Sequence, residues 1–510
     1  VLQGEVVTIA SLSSKTQSKE VRLRSGSEGL DDILGGGFPT NHLYLLEGDP
    51  GTGKTTLALQ FLLEGTRVGE RCLYVTLSES ELELQGVAES HGWSLDDIPI
   101  FEMTPQDESI DPEAQYTVFH PSDVELADTI AAVLKQVDEL QPTRVVFDSL
   151  SELRMLAGNP LRYRRQILGL KRYFSGRNCT VLLLDDRTAE GHDLQLQSIA
   201  HGVIIMESAD REFGVKRRRL EVRKLRASRY REGFHDYAIE TGGVVVYPRL
   251  IASEHLPGHE IKALSSGALE LDKLLGGGLD SGTSTLFMGP AGCGKSTIAT
   301  RYAVAAAERG ENAAIFTFDE TLTTFLHRCT GLGMDLGSHI QSGRIRISQL
   351  DPAEIAPGQF VHQIRKLVEE THTTVLVIDS LNGFLNAMPG EQFLILQLHE
   401  LITYLNQQGV TTIFTLAQHG FVGNSMNAPV DVSYLADTVL LFRYFEAEGE
   451  LRQAISVLKK RSGAHERTIH SLSFNTSALK VGPALTNFRG IITGLPLSYR
   501  EPPGDWKGPN

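Results

Sequence analysis

Short apolar runs alternate with amphipathic stretches along most of the chain, and this pattern predicts an α/β fold. In the first half, residues 144–147 and 181–184 are apolar runs of strand length, while the apolar spacing of residues 58–65 is typical of a helix. The second half repeats this order with runs at 374–378 and 410–416. Because strands that alternate with helices pair in parallel, we expect mainly parallel central sheets.

A long segment of the chain occurs twice with the same internal spacing. Ser25-Gly26 corresponds to Ser266-Gly267, and the apolar runs 72–77 and 313–318 lie at the same offset. Each copy is long enough to bury its own core, so the repeat indicates a duplicated domain rather than a solenoid unit. We predict a flexible leader, two α/β domains and a flexible tail at residues 1–20, 21–250, 251–495 and 496–510.

Composition and charge narrow the class of protein. The apolar fraction of 41% is ordinary for a globular chain, and the apolar runs are too short to cross a bilayer. The net charge of −15 disfavours non-specific binding to nucleic acid or anionic lipid. The four cysteines lack the spacing of zinc ligands and are expected to be buried thiols, which is typical of a reducing, cytoplasmic compartment. From the apolar runs and the net charge, we expect neither a membrane nor a nucleic-acid partner.

Two phosphate-binding loops of the form G-x-x-x-x-G-K-[ST] carry the strongest chemical signal. In such a loop the glycines let backbone N–H groups surround the phosphates, the lysine adds a positive charge, and the last hydroxyl ligates magnesium. Two matches inside matched repeats predict a tandem nucleotide hydrolase that uses ATP and Mg²⁺. The expected ATP-binding residues are Gly48, Gly51, Thr52, Gly53, Lys54, Thr55 and Thr56 in the first loop, and Gly289, Gly292, Cys293, Gly294, Lys295, Ser296 and Thr297 in the second.

Aspartates at the ends of two apolar runs are candidate metal ligands. Asp148 follows the run 144–147, and Asp379 ends the corresponding run in the second domain. A carboxylate there can hold Mg²⁺ together with the loop hydroxyl, which gives Thr55 with Asp148 and Ser296 with Asp379 as the metal residues. The alternative is a turn-forming aspartate with no ligand.

A second set of carboxylates follows the strand after each phosphate-loop helix. These are Glu79 in the first domain and Asp319-Glu320 in the second. A carboxylate across the γ-phosphate from the lysine can orient or deprotonate the attacking water or hydroxyl, so we predict catalytic roles for all three residues. The alternative is a solvated acidic start of the next helix.

Basic residues recur at matching positions late in each domain. Lys224 and Arg226 in the first domain correspond to Lys459 and Arg461 in the second. In a ring with nucleotide at subunit borders, these residues could contact the γ-phosphate bound by the neighbouring subunit. The alternative interpretation is that they are charged strand residues that face solvent. The denser basic run at residues 216–229 lacks interleaved aromatics and occurs in one domain, which does not favour nucleic-acid binding.

Together these motifs resemble the KaiC family of circadian clock proteins and their relatives. The resemblance covers roughly residues 20–497 and includes the glycine-rich lead-ins, both loops, the strand-ending Asp-Ser pairs and the closing segment 487–494. It implies two tandem RecA-like P-loop domains that bind ATP and Mg²⁺ between subunits. It also implies a double-ring homo-hexamer whose first ring hydrolyses ATP and whose second ring is also an autokinase and phosphatase.

The resemblance extends to a phosphoacceptor and to partners. The family's adjacent Ser-Thr acceptors align with Ser433-Tyr434, so Ser433 is the expected acceptor and Tyr434 the weaker candidate. The family's paired glutamates align with Ser78-Glu79 in the first domain, so only one carboxylate is kept there. The end of the chain from residue 496 does not match the peptide that KaiA grasps. A KaiA-like activator is therefore not expected, whereas a KaiB-like protein is still a possible partner.

Two other functions remain compatible with the sequence. A RecA-like DNA recombinase or helicase would share the fold class, since fold alone does not fix function. An ATP-gated scaffold without kinase activity would share both loops. Whether the protein keeps circadian time is also open at this level.

Overall fold

The computed structural model describes residues 21–103, 121–187, 194–209, 214–255, 258–386, 394–418, 433–474, 479–492 and 497–498. The chain divides into two compact units, residues 1–210 with 216–249 and residues 211–215 with 250–510. The predicted leader lies outside the described residues. Of the predicted tail, Leu497–Ser498 forms a strand that pairs with Phe488–Arg489, and the rest is not described.

The first unit is an α/β domain. Its strands are β1 Arg22–Leu23, β2 Phe38–Pro39, β3 Leu43–Gly48, β4 Cys72–Thr76, β5 Ile100–Glu102, β6 Arg144–Asp148, β7 Thr180–Asp186, β8 Gly202–Ala209, β9 Arg217–Leu225, β10 Phe234–Glu240 and β11 Gly243–Tyr247. Its helices are α1 Glu28–Ile33, α2 Lys54–Arg67, α3 Glu81–Ser90, α4 Pro121–Leu140, α5 Leu150–Ala157, α6 Pro160–Phe174 and α7 Leu194–Ile199.

A nine-stranded sheet forms the centre of this unit in the order β11-β10-β9-β8-β3-β7-β6-β4-β5. The strands from β8 to β5 are parallel, and β9, β10 and β11 continue the sheet antiparallel. All residues of β3, β4 and β6 are buried, as expected of parallel strands covered by helices on both faces. The first phosphate loop leaves the carboxyl end of β3, where ligands of open α/β sheets bind.

The second unit repeats this architecture. Its strands are β12 Ala263–Leu264, β13 Leu279–Asp280, β14 Ser284–Gly289, β15 Asn312–Thr317, β16 Ile345–Gln349, β17 Thr373–Asp379, β18 Thr411–Ala417, β19 Thr438–Ala447, β20 Glu450–Lys460, β21 His470–Phe474, β22 Leu479–Ala484, β23 Phe488–Arg489 and β24 Leu497–Ser498. Its helices are α8 Leu269–Leu274, α9 Lys295–Glu308, α10 Leu322–Gly331, α11 Leu336–Gln341, α12 Pro357–Thr371, α13 Leu381–Asn386 and α14 Leu394–Gln407, and a 3₁₀ turn covers Ala252–Glu254.

The second sheet also has nine strands, in the order β16-β15-β17-β18-β14-β19-β20-β21-β22. It is parallel from β16 to β19 and antiparallel beyond. Buried apolar clusters lie on both of its faces, built from the helices and the strand interiors. The predicted fold class, two tandem α/β domains with mainly parallel sheets, is confirmed.

Several strands extend beyond the apolar runs that predicted them. The run at 144–147 becomes β6 with Asp148 as its last residue, and the run at 181–184 becomes β7, which ends in Asp185-Asp186. All four cysteines are buried and form no disulfide. Among the helices that the structure describes, none combines the length and apolar content needed to cross a bilayer.

Candidate nucleotide-binding sites

Each phosphate loop connects a buried strand to the N-terminus of a long helix. The first joins β3 to α2 and the second joins β14 to α9, and both helices have 14 residues. Gly53 and Gly294 precede the helices with φ angles of 91° and 96°, a left-handed conformation that other residues rarely adopt. The unpaired N–H groups at such a helix start form an anion-binding site.

The first loop lysine is fully engaged by oxygen acceptors. Lys54 Nζ donates to the carbonyl oxygens of Gly48 at 2.9 Å and Asp49 at 3.0 Å, and it forms an ion pair with Asp186 Oδ1 at 2.7 Å. The lysine is buried at the carboxyl end of β3. It therefore lies where the loop would hold the phosphates of a nucleotide.

The candidate metal residues of the first site are adjacent. Thr55 Oγ1 donates to Asp148 Oδ2 at 3.0 Å, and the buried Tyr74 hydroxyl donates to the same oxygen at 2.6 Å. Burial raises the pKa of Asp148 above its usual range, although both hydrogen bonds oppose that shift. One hydroxyl and one carboxylate at a phosphate loop are a donor set that suits Mg²⁺, which keeps waters and takes further ligands from substrate phosphates.

Glu79 lies between β4 and α3. The Thr76 hydroxyl donates to its backbone carbonyl at 2.6 Å, and Glu79 Oε2 is buried without a hydrogen-bond partner among the described residues. Burial raises the Glu79 pKa to about 7, and the nearby charge of Asp148 adds to that shift. A carboxyl with this pKa accepts a proton readily near neutral pH.

The second site repeats the hydroxyl–carboxylate pair. Ser296 Oγ donates to Asp379 Oδ1 at 3.0 Å, and Thr415 Oγ1 donates to the same oxygen at 2.5 Å. Lys295 Nζ donates to the carbonyl oxygens of Gly289 at 2.8 Å and Pro290 at 2.6 Å. The predicted metal residues are thus adjacent in both domains.

The two carboxylates that follow β15 have different partners. Asp319 Oδ2 accepts from Ser380 Oγ at 2.5 Å, which places it next to the Asp379 end of β17. Glu320 forms a two-pronged ion pair with Arg328, with distances of 2.9 and 3.2 Å. Arg328 is a partner that the sequence did not indicate, because it lies on the following helix, α10.

In the first domain the two predicted trans cations contact the end of helix α7. Lys224 Nζ donates to the carbonyl of Gln197, and Arg226 Nη2 donates to the carbonyl of Ser198 at 2.7 Å. Burial, with the nearby charges of Arg226 and Lys171, lowers the Lys224 pKa to about 8. The two cations therefore share one edge of the domain with a helix C-terminus, whose carbonyls favour positive charge.

In the second domain the corresponding cations contact the turn that contains the candidate phosphoacceptor. Lys459 Nζ donates to the carbonyls of Ser433 at 3.2 Å and Ala436 at 2.7 Å. Arg461 donates to the Tyr434 carbonyl at 3.1 Å and forms an ion pair with Asp437, also at 3.1 Å. Ser433, Tyr434 and both cations therefore lie together where β19 begins and β20 ends.

A cavity of about 310 Å³ lies beside the second loop. Thr297 of the loop helix lines it, together with Gly267, Arg301, Leu332 and Phe474. Most of its lining is apolar, with Arg301 and Glu270 as the two charged residues, and Thr297 joins it to the loop helix.

The sequence reasoning missed Asp185 and Asp186. Asp185 is buried and forms an ion pair with Arg154, and Asp186 forms the ion pair with Lys54. The rule that singled out Asp148, an acidic residue at the end of an apolar run, also applies to 181–184 and would have identified them.

A strand-ending aspartate beside a phosphate loop, in each of two mainly parallel sheets, defines a tandem RecA-like P-loop ATPase. The family model for the KaiC ATPase matches residues 23–251 and again 264–486, and the chain belongs to this family.

Curated relatives match nearly the whole chain. The circadian clock oscillator protein KaiC of Acaryochloris marina is 27% identical over 497 residues, which is 95% of this chain and 93% of that protein. KaiC of Synechococcus elongatus is 26% identical and covers 96% of this chain and 95% of its own length. The circadian clock protein KaiC3 of Synechocystis is 24% identical, with shares of 93% and 94%.

Proposed function

We propose that this protein is a KaiC-like regulatory ATPase that also phosphorylates Ser433 of its own chain. It binds ATP and Mg²⁺ at both loops and assembles in the cytoplasm as a double-ring homo-hexamer, with a KaiB-like protein as a compatible partner. Autophosphatase activity belongs to the same proposal. The family membership supports ATPase activity. The hexamer, the partner and the phosphatase activity are proposed from the likeness to KaiC proteins, and the choice of Ser433 as acceptor is supported by the geometry of the second domain.

The contact between Lys459 and the Ser433 carbonyl carries the proposal. A cation that serves a neighbouring subunit's phosphate must lie at the subunit border. Lys459 and Arg461 both donate to backbone carbonyls of residues 433–436, so Ser433 would lie at the same border as these cations in such a ring. The acceptor hydroxyl and the trans cations would therefore approach the neighbour's nucleotide together.

The residues that hold ATP and the metal follow from the local geometry. Lys295 and the N-terminus of α9 would hold the phosphates, and Ser296 with Asp379 would hold Mg²⁺. When bound, Mg²⁺ neutralises charge that develops on the phosphates. The cavity beside Thr297 has the size and lining for the adenosine part of ATP.

The transfer is a single displacement at the γ-phosphorus. The Ser433 oxygen forms a bond to phosphorus while the bond to the oxygen bridging the β- and γ-phosphates breaks, and ADP leaves. Asp319 is the carboxylate that takes the serine proton, since it lies next to Asp379 through Ser380. Glu320 is held by Arg328 and contributes charge and position rather than a free acceptor oxygen.

The basic run of the first domain does not favour nucleic-acid binding. Arg217 is buried, Arg219 lies 3.9 Å from Glu207, and Arg223 lies 3.3 Å from Glu221. Carboxylates within the same sheet thus offset part of its charge. A DNA recombinase would need such a surface free for phosphate contacts.

Phosphopeptide mapping after incubation with Mg-ATP tests the acceptor. Wild type and Tyr434→Phe should carry phosphate on the peptide that contains residue 433, and Ser433→Ala should lose most of it. Tyr434 is a poorer acceptor because its longer side chain does not align where a serine does. Undiminished phosphate in Ser433→Ala would refute the assignment.

A further inference from the structure

The two loop lysines differ in their third hydrogen-bond partner. An ammonium group has three N–H donors. Lys54 directs them to the Gly48 carbonyl, the Asp49 carbonyl and Asp186 Oδ1, at 2.9, 3.0 and 2.7 Å. All three donors of Lys54 are therefore committed to oxygen atoms, one of which belongs to a charged carboxylate.

The second lysine has two such oxygen partners and a weaker third partner. Lys295 donates to the Gly289 and Pro290 carbonyls, and its remaining contact is Cys293 Sγ at 3.7 Å. Sulfur is a poor acceptor, so this contact is easily given up. Among the residues that the structure describes, Lys295 pairs with no carboxylate.

The residue that lies opposite each loop glycine in the sheet explains why the two lysines have different third partners. In the first sheet Gly48 lies opposite Asp186, whereas in the second sheet Gly289 lies opposite Ala417. Asp186 and Ala417 thus occupy the same place beside their loops. At this register position the first domain carries a carboxylate and the second carries the methyl group of Ala417.

The Asp186 backbone is fixed close to the loop. The Arg187 N–H donates to the Gly48 carbonyl at 3.3 Å, and the preceding Asp185 is buried and paired with Arg154. Asp186 therefore stays near Lys54 and near any anion that the loop holds. A carboxylate in this place repels phosphate oxygens and also competes with them for the lysine.

We propose that Asp186 is a positioning residue that weakens nucleotide binding at the first site by competing with phosphate for Lys54. The first site then releases nucleotide more readily than the second, where Ala417 occupies the equivalent position. The inference rests on the loop geometry within one domain. It needs neither the hexamer nor the phosphorylation of Ser433.

Binding of a non-hydrolysable ATP analogue with Mg²⁺ to the full chain tests the proposal. Calorimetric titration gives the affinities of the two sites, and photo-crosslinking of an azido-adenine analogue followed by peptide mapping assigns them. Asp186→Ala should lower the first-site dissociation constant about three- to tenfold, as expected for removing a partly exposed competing ion pair. Asp186→Asn keeps the shape and should give the same change.

The reciprocal variant Ala417→Asp introduces the carboxylate in the second domain. It should raise the second-site dissociation constant by a similar factor and leave the first site unchanged. In ATP hydrolysis, Asp186→Asn should lower KM more than it changes kcat. This split distinguishes competition for Lys54 from a role in the chemical step.

Two results would overturn the proposal. Weaker binding in Asp186→Asn would mean that the ion pair holds Lys54 in its binding position. A loss of kcat with KM unchanged would place Asp186 in the chemical step instead. Hydrogen exchange of the domain that carries each substitution confirms that the variant is folded, and the Asp186→Asn result decides the matter if Ala417→Asp does not fold.

Discussion

The Glu79 carboxyl shows how one residue's surroundings set its chemistry. It is half-buried near Asp148 and Lys54, and its pKa is raised to about 7. Glu83 lies three residues after Ser80, the N-cap of helix α3. Its carboxylate accepts a hydrogen bond from the Ser80 N–H, and its pKa is lowered. The pKa values of two neighbouring glutamates thus shift in opposite directions, because one is half-buried and the other accepts hydrogen bonds at a helix N-cap.

The raised pKa predicts a pH dependence of ATP hydrolysis at the first site. A general base must be deprotonated to act, so kcat/KM should rise as the pH increases through about 7 and level off above it. Glu79→Gln should lower turnover about 100-fold and flatten this profile. We expect the exposed Glu89→Gln to behave like wild type, whereas an unchanged rate in Glu79→Gln would exclude Glu79 as the base.

Individual elements are held together by interactions that the apolar pattern does not reveal. Arg144 begins β6 yet is 1% exposed. Its guanidinium forms an ion pair with Glu70 at 2.5 Å, donates to the carbonyls of Arg24 and Phe61 at 2.7 Å, and lies 4.6 Å from the Phe61 ring centroid. This one side chain links β6 to helix α2 and to the segment between β1 and α1.

Removing Arg144 should therefore destabilise the first domain. Arg144→Ala leaves Glu70 and two carbonyls without their donor, at a cost of about 3 kcal/mol or more in the free energy of unfolding. Hydrogen exchange measured peptide by peptide gives the free energy of unfolding of the first domain separately from that of the second. Arg172→Ala, an exposed arginine on α6, should change stability by less than about 0.5 kcal/mol. Equal effects of the two substitutions would contradict the structural role of Arg144.

The sequence predicted those elements whose signal is local. The apolar runs located β4, β6, β7, β15, β17 and β18 within one or two residues. The two glycine-rich loops each connect a buried strand to a long helix, as their sequence pattern predicts. The partners of Arg144, Lys459 and Glu320 could not be predicted, because each contact joins segments that only the folded chain brings together. Asp186 had a local signal at the end of a strand, but its pairing with Lys54 depends on sheet register.

At the scale of the whole molecule, the proposed ring has subunits that complete one another's nucleotide sites. We predict that Mg-ATP drives hexamer formation, because Lys224 and Arg226 gain their phosphate partner only in a ring. Light scattering with and without Mg-ATP measures this. Lys224→Ala should weaken first-ring turnover while the fold is kept, with the exposed Arg223→Ala as a control. A mass that stays monomeric at micromolar protein and saturating Mg-ATP would contradict ring assembly.

The central claim is that Ser433 receives phosphate from a neighbouring subunit's ATP. A mixing experiment tests it directly, with ¹⁵N-labelled Lys295→Ala chains, which keep the acceptor, and unlabelled Ser433→Ala chains, which keep the donor site. Neither variant alone should become phosphorylated at residue 433. In the mixture, mass spectrometry should find phosphate on Ser433 of the labelled chains. If wild type is phosphorylated but the mixture is not, transfer takes place within one subunit and the account is contradicted.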